Sequence, residues 1–560
     1  MAWQWVHAPI DCAERVQHNL VMFDCAALNA QGLRDMSPEA LAHLAEQMFV
    51  QMAEQRRQLE QRDKHIAEQA MMIQFKDAKI EKILFELRRL KAWKFGAKTE
   101  RMDAAQRQLF EETLAEDEAS LRAQLQALQE PADPAPISGQ LPPVSRKPRR
   151  QALPEHLRRV EHRHEPLSTS CPTPNCGRPM TRIGEDVSER LDIVPAEFFV
   201  HRHIRGKWVC KCCQVLVQEP VEPRVIDRGL PAPGLLAHTL TSRFVDHLPY
   251  YRQEQINARS GVQTPRATLA AWAGQAGAAL QPLFDAHRAF VLGAQVLHAD
   301  ETPVSMLDPG AGRTRRAYVW TYARSAYDPQ QGVLYDFCAS RAARHPMAFL
   351  TGWSGTLVCD GYGACDSVLK QEQRSEAGCM AHARRKFDEL AKDGQSAVAS
   401  QVLHRIALLY RIECQAKELT TSERLVLRER HARPVVDELL QCLRHERQRI
   451  PNGSAIAKAV DYSLKRWTAL TRYLQDGNVP IDNNHCENLI RPWAMGRKAW
   501  LFAGSELAGQ RAAVVMSLLQ SAKLNGHDPW AYLKDVLTRL PMHLNSRISE
   551  LLPHRWQPAV

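Results

Sequence analysis

Seven prolines fall in one short stretch: Pro131, Pro134, Pro136, Pro142, Pro143, Pro148 and Pro154. Each fixes φ and removes a backbone donor, so no helix or strand can run through residues 131–154. The chain is broken there into a leading part and a longer trailing part. A basic run on this linker, Arg146-Lys-Pro-Arg-Arg150, can touch a polyanion or stay solvated.

The leading part reads as one long helix over 38–95. Leu59, Ile66, Ile73, Ile80 and Leu87 recur every seven residues, with Met52 one heptad earlier. The companion seam is weaker: Ala70 and Leu84 fit it, whereas Asp63 and Asp77 do not. Such a repeat predicts an imperfect coiled coil, hence a homodimer or higher oligomer; a long helix packed on its own domain has the same pattern.

After the linker, five cysteines lie between Cys171 and Cys213. Cys171-x4-Cys176 and Cys210-x2-Cys213 form two close pairs around a strand-like run, Phe198 to Ile204. Two thiolate pairs suit tetrahedral zinc, and residues 155–225 are read as a small zinc-binding domain. Cys212 competes with Cys213 for the fourth place, and His162 or His164 could substitute. Within 230–290, Tyr250–Arg259 is a first helix, Ser260-Gly261-Val262 a turn, and Thr264-Pro265 the start of a second. This helix-turn-helix pattern can put Arg266 into a DNA groove, although a plain helical hairpin looks similar.

From residue 291 the pattern becomes mixed. Gln295-Val-Leu-His-Ala-Asp300 alternates as a strand, with Val296, His298 and Asp300 on one face. Runs over 316–322 and 332–337 suit an antiparallel meander. A helix over 341–350 leads to a fourth strand, Gly355-Thr-Leu-Val-Cys359, just before Asp360. A return through a helix favours parallel pairing with the first strand, which sets Asp300 and Asp360 side by side. Either aspartate alone reads as a polar strand exit or an Asp-Gly turn; together they read as a site. Glu487, in Asp482-Asn-Asn-His-Cys-Glu487, opens a short helix bounded by Pro480 and Pro492. It suits either a capping box or a third metal carboxylate. Three convergent carboxylates are a ligand set for a pair of hard divalent cations, which can clamp a phosphodiester. Arg491, Arg497 and Lys498 follow, and Arg384, Arg385 and Lys386 lie on a basic helix; these are candidate DNA contacts or solvated charges. Residues 379–475 carry helical periodicity and read as an insertion between two catalytic segments, 291–378 and 476–527, before a tail over 528–560.

The chain has 560 residues, 44% of them apolar, and a formal net charge of +10. A modest basic excess favours polyanion partners. No signal peptide or long apolar run is visible, so no membrane span is expected, and the scattered cysteines suit a reducing cytoplasm.

His298-Ala-Asp-Glu-Thr-Pro303, Cys359-Asp-Gly-Tyr362, His382-Ala-Arg-Arg-Lys-Phe387 and Asp482 through Pro492 together resemble the insertion-sequence 66 family of bacterial DDE transposases. So do Gly496 through Gly504, Ala522 through Gly526, and the Lys94–Glu100 segment beside the heptads and cysteines. The resemblance runs from about residue 40 to 545. It implies a multidomain α+β chain with a ribonuclease-H-like α/β core carrying Asp300, Asp360 and Glu487. It further implies Mg²⁺ (two ions, or Mn²⁺), structural Zn²⁺, and cutting and strand transfer of double-stranded DNA at element terminal repeats and target. Accessory proteins of the same element and a nucleoid-associated place in a bacterial cytoplasm are implied too. Two departures stand out: four residues rather than two separate the first cysteine pair, and Cys486 occupies a place where a small residue such as alanine is usual. Rival readings are a nuclease without strand transfer, and an inactive remnant or zinc-dependent DNA-binding regulator.

Overall fold

The computed structural model describes residues 37–96, 104–129 and 153–558, apart from short stretches inside the last range. The proline linker with Arg146–Arg150 lies almost wholly outside these residues. The chain divides into two compact units at Lys79/Ile80.

Helix α1 spans Pro38–Gly96, as the heptads predict. Along its first unit Met52, Leu59, Ile66 and Ile73 are exposed. Beyond Ile80 the same helix behaves differently. Ile83 and Leu90 are buried against Leu114 and Leu121 of a second helix, α2 (Ala104–Gln129). The C-terminal part of the heptad segment thus packs within the chain, on α2, which the sequence reading did not assign.

Four strands follow: β1 (Arg158–His164), β2 (Thr181–Val194), β3 (Glu197–Val209) and β4 (Leu216–Gln218). β3 pairs parallel with β1 and antiparallel with β2 and β4. At the base of this sheet Leu191, Ile193, Phe198 and Val200 enter the main core, beside Leu235 and Leu236 of α3 (Pro233–Phe244). Helices α4 (Tyr250–Arg259) and α5 (Arg266–Ala279) are the anticipated helix-turn-helix. Leu269, Trp272, Ala273 and Ala276 of α5 are buried. Gly274 and Gly277 let α2 and the Arg511 side chain approach closely; a Cβ at either would collide. Helix α6 (Gln281–Leu292) leads into the second sheet.

That sheet holds β5 (Val296–Asp308), β6 (Arg313–Arg324), β7 (Val333–Cys338), β8 (Gly355–Cys359) and β9 (Arg374–Gly378), in the order β7-β6-β5-β8-β9. α7 (Arg344–Phe349) returns the chain to β8, which pairs parallel with β5 as expected: Val296↔Thr356, Leu297↔Leu357, His298↔Val358. α8 (Gly363–Leu369) leads to β9, parallel to β8 and absent from the sequence reading. One expectation needs correcting. β5 does not end at Asp300; it runs on to Asp308, held by antiparallel pairing to β6. Asp300 instead marks the point where β8 has left and β6 continues.

Alternation along β5 buries its two faces in different cores. Leu297 and Ala299 join Val319, Phe337, Trp493 and Val515. Val296, with Val358 and Ala377, joins Phe387, Leu409 and Leu439 of the helical insertion. The insertion comprises α9 (Met380–Lys392), α10 (Ala397–Ala416), α11 (Thr421–Leu427), α12 (Arg433–Arg449), α13 (Ala455–Lys465) and α14 (Trp467–Leu470). Then come α15 (Asn484–Trp500), α16 (Glu506–Leu524) and α17 (Pro529–Arg539). α15 is a second correction, because it continues through Pro492 instead of stopping there. The lost backbone donor costs stability. Burial of Leu489, Trp493, Gly496 and Trp500 along one face offsets that cost.

Candidate active site and metal centres

Asp300 lies on the central strand, Asp360 directly after the neighbouring strand, and Glu487 in the first turn of α15. Asn483 joins these elements. It is fully buried; its side-chain amide donates to Ala299 O at 3.0 Å, and its Oδ1 lies 2.7 Å from His298 Nδ1. Its backbone N–H reaches Cys379 Sγ at 3.2 Å, fixing the start of α9 as well. The insertion adds two hydroxyl anchors, Tyr462 to Asp360 O at 3.0 Å and Tyr410 to Asp482 Oδ2 at 2.7 Å. Gly361 has φ +86°, and the Arg466 guanidinium packs where a Cβ would stand, so the Asp-Gly turn is also a close approach.

Burial pushes the Asp300 carboxyl up to about 7, and the charges of Glu301, Asp360 and Glu487 push the same way. The Glu301 N–H donates to Asp300 Oδ1 at 2.8 Å and opposes the rise only partly. Glu301 is offset by Arg341, whose Nε donates to it at 2.6 Å. Glu487 turns away from its own helix start, where Asp482 Oδ1 accepts from the Asn484 N–H. Its Oε1 is buried without a hydrogen-bond partner, 3.6 Å from His382 Nδ1, and its Oε2 lies 3.7 Å from Arg385. Crowded, partly desolvated carboxylates with a spare oxygen fit a hard divalent cation, which would relieve their mutual repulsion. Cys379, His382 and Glu487 also bring ligand atoms within 4.8 Å of one another. Burial holds the Cys379 thiol up at about 12, so this sulfur is a hydrogen-bond acceptor rather than a thiolate.

The second centre is at the tip of the first sheet. Cys171, Cys176, Cys210 and Cys213 bring their sulfurs within 4.8 Å of one another. Cys212 is exposed and lies outside this group, whereas Cys213 lies within it. Cys210-Lys-Cys-Cys213 is a tight knuckle: Gln214 takes φ +53° and its N–H donates to Cys210 O at 2.8 Å. The longer first spacing is closed by two backbone bonds, Cys176 N–H to Thr173 O at 3.0 Å and Cys171 N–H to Arg178 O at 2.9 Å. Hydrogen bonding with Thr173 lowers the Cys171 thiol to about 6. Four convergent sulfurs, one already inclined to ionise, fit a structural zinc ion.

A family model described as "Transposase IS66 family" matches residues 228–511, and "IS66 C-terminal element" matches 517–554. "Zinc-finger binding domain of transposase IS66" matches 168–214, enclosing all four cysteines, and "Transposase C of IS166 homeodomain" matches 84–161. The chain belongs to the IS66 transposase family. Among similar proteins of Sinorhizobium fredii, "Uncharacterized protein y4jD" is 36% identical over 72% of this chain and 81% of its own length. "Uncharacterized protein y4hP" is 33% identical over 86% of this chain and 89% of its own. Membership implies that DNA is the macromolecule on which the chain acts. No helix among the described residues is long and apolar enough to cross a membrane.

The basic residues anticipated as DNA contacts of this IS66-family chain have varied surroundings. Arg384, Arg491 and Lys498 are exposed. Arg385 faces Glu487, Lys386 lies over the Tyr462 ring at 4.5 Å, and Arg497 donates to Pro303 O at 2.8 Å. Arg266 pairs with Glu254 at 3.7 Å, and exposure along α5 is greatest near its start, at Ala267. Any groove contact by that helix is therefore confined to its first turn. Sequence reasoning missed Glu301, Arg341, His382 and Asn483 as members of the site. The adjacency of Glu301 to Asp300, and the presence of His382 and Asn483 in motifs already quoted, gave the only signal for them.

Proposed function

We propose that this chain is a DDE transposase that binds the ends of its mobile element and carries out metal-dependent cleavage and strand transfer of double-stranded DNA. The observation that carries the reading is the placement of Asp300 on β5, Asp360 directly after its parallel neighbour β8, and Glu487 in the first turn of α15, which Asn483 ties to β5. The mixed sheet, three antiparallel strands extended by two parallel ones, is consistent with a ribonuclease-H-like core. Asp300, Asp360 and Glu487 would hold Mg²⁺ or Mn²⁺. When bound, such ions make water or a 3′-hydroxyl a better nucleophile and stabilise the leaving oxygen. The chain's own part is to fix those carboxylates through Asn483, Tyr462 and the two cores. Arg384, Arg491 and Lys498 offer exposed charge for phosphates beside the site, and Arg266 offers the first turn of α5. The zinc unit supports end recognition. The exposed stripe of Met52, Leu59, Ile66 and Ile73 suits a coiled coil with a second copy, bringing two ends together.

The test is strand transfer in vitro with Mg²⁺ and labelled DNA from the ends flanking the gene. Joined products are expected, reduced at least about 1,000-fold by Asp300→Asn. Cleavage without joining would replace the reading with a nuclease. Specific binding without chemistry would replace it with a regulator or an inactive copy.

A further inference from the structure

One face of the first sheet is polar where a small domain would be expected to place core. On β3, His201, His203 and Arg205 share a side. Register brings His162 and His164 of β1 opposite His203 and Arg205, and Arg190 and Ser188 of β2 opposite His201 and His203. The segment after β4 meets this face. Pro220 O accepts from Arg205 Nε at 3.4 Å, and the charge of Arg224 acts on His203.

The histidines satisfy one another. His162 Nε2 lies 2.8 Å from His201 Nδ1, and His201 Nε2 lies 2.9 Å from Asp192 Oδ2. His164 Nε2 lies 3.0 Å from His203 Nδ1, while Arg190 Nε donates to His203 Nε2 at 3.0 Å. A ring that accepts from a guanidinium is neutral. Burial, then the nearby guanidinium groups, hold His203 down at about 3. This ladder is a scaffold, and the net positive charge of the face comes from Arg190, Arg205 and Arg224.

Arg190 is taken up by His203, but Arg205 and Arg224 lack matching acceptors. Arg205 is 3% exposed, yet its Nη2 has no hydrogen-bond partner. Nε and Nη2 of Arg224 and the Ser188 hydroxyl are also buried and unpartnered. The nearby acids are largely committed elsewhere: Asp192 to His201 and the Ile193 N–H, and Asp186 to Lys207 and Gln218. Glu222 and Asp227, both exposed, remain as partial counter-charges for Arg224. Buried guanidinium donors without acceptors are costly. A tetrahedral oxyanion would satisfy them together, accepting from the edge of Arg224, from Arg205 Nη2 and from a hydroxyl.

We propose that this face of the zinc-bearing sheet is a phosphate pocket formed by Arg205, Arg224 and Ser188, with Arg190 behind them, and that it seats a backbone phosphate of bound DNA. The proposal rests on the reading that the chain acts on DNA, and it adds a contact away from the carboxylates. Pairing with a phosphate there would fix how the zinc unit sits on the duplex without reading sequence.

The experiment uses the full chain with inorganic phosphate as one probe and element-end duplex as the other. Phosphate should raise Tm more than chloride at matched ionic strength. Arg224→Met should remove that response and Ser188→Ala should weaken it, with zinc content unchanged in both. On duplex DNA, Arg224→Met should reduce the slope of log K against log salt by about 1, the loss of one phosphate contact. Zinc-replete variants that keep both the phosphate response and the slope would overturn the pocket. A lost phosphate response with an unchanged slope would overturn DNA as its source and leave free phosphate. Strand transfer failing while these binding results hold would count against the transposase reading, not against the pocket.

Discussion

In the five-stranded sheet, Asp300 stands on a strand whose neighbours Leu297 and Ala299 are buried in one core and whose Val296 is buried in another. Among the described residues, the hydrophobic side chains packed with the four cysteines at the tip of the four-stranded sheet are Met180 and the partly buried Trp208 and Val217. The first region can hold charged groups in place because packing on both faces already fixes the backbone. The second has too little apolar surface to fix itself and depends on what its sulfurs bind. Only the base of that sheet, through Leu191, Ile193, Phe198 and Val200, shares the main core.

The largest test of this contrast is zinc removal. Chelation, or Cys210→Ser, should abolish amide-exchange protection at the tip of the four-stranded sheet, around residues 171–180 and 208–217, while β5 to β9 keep theirs. Structural zinc contributes on the order of 10 kcal/mol to a unit of this kind. Simultaneous loss of protection in both sheets would break the comparison. Next comes Trp493→Ala. Trp493 is 2% exposed and packs against Tyr335, Phe337 and Trp500. Its truncation should cost about 3–5 kcal/mol in global unfolding and leave zinc content unchanged. A zinc loss matching the stability loss would mean that the two regions are not held separately.

The smallest effect concerns charge inside the packed region. The folded Asp300 carboxyl titrates near 7 against an ordinary 3.8. A raised folded value contributes stability that is full below about pH 4 and lost as pH rises through about 7. In EDTA, therefore, the protein should become less stable from pH 5 to pH 8. Asp300→Asn should flatten that trend and stabilise the chain at pH 8 by about 1–2 kcal/mol. Melting curves at the two pH values check this; a variant that stays as pH-sensitive as the parent would place the strain elsewhere.

The elements around the site were legible where local chemistry and the final environment agree. Gly355–Cys359 was bounded correctly because Gly begins it, Asp-Gly ends it and apolar residues fill it. Tyr250–Arg259 followed from its turn signals, whereas α5 starts one residue later than expected, with Pro265 at the cap and the Thr264 hydroxyl accepting from Asn257 instead of capping the helix. Long-range packing hid the rest. Thr302, Val304 and Met306 extend β5 because β6 is waiting, and Trp493 carries α15 past Pro492. β9, Arg374-Ser-Glu-Ala-Gly378, has hardly any apolar content and is a strand only because β8 pairs with it. Each of the three carboxylates had a local explanation, as strand exit, Asp-Gly turn or capping box, and only their occurrence together marked them as a candidate site. Asn483 and His382 could not be marked in this way, since their meaning lies in partners roughly 100 or more positions away.

Arg511 is buried on α16 and donates to Glu116 at 2.6 Å and Asp117 at 3.1 Å, across a sequence separation of about 395 residues. During synthesis α2 leaves the ribosome long before its counter-charge exists. Until α16 arrives, the two acids lack their guanidinium partner, while Leu114 already has Ile83 and Leu90 of α1 and the backbone at Glu116 has Gly274 of α5 to pack against. Neutralisation of those acids therefore waits until the chain has been made almost to its end. In this IS66-family chain the charge cluster begun at Glu116 and Asp117 is completed only by Arg511, so a copy truncated before α16 would carry two acids without their guanidinium.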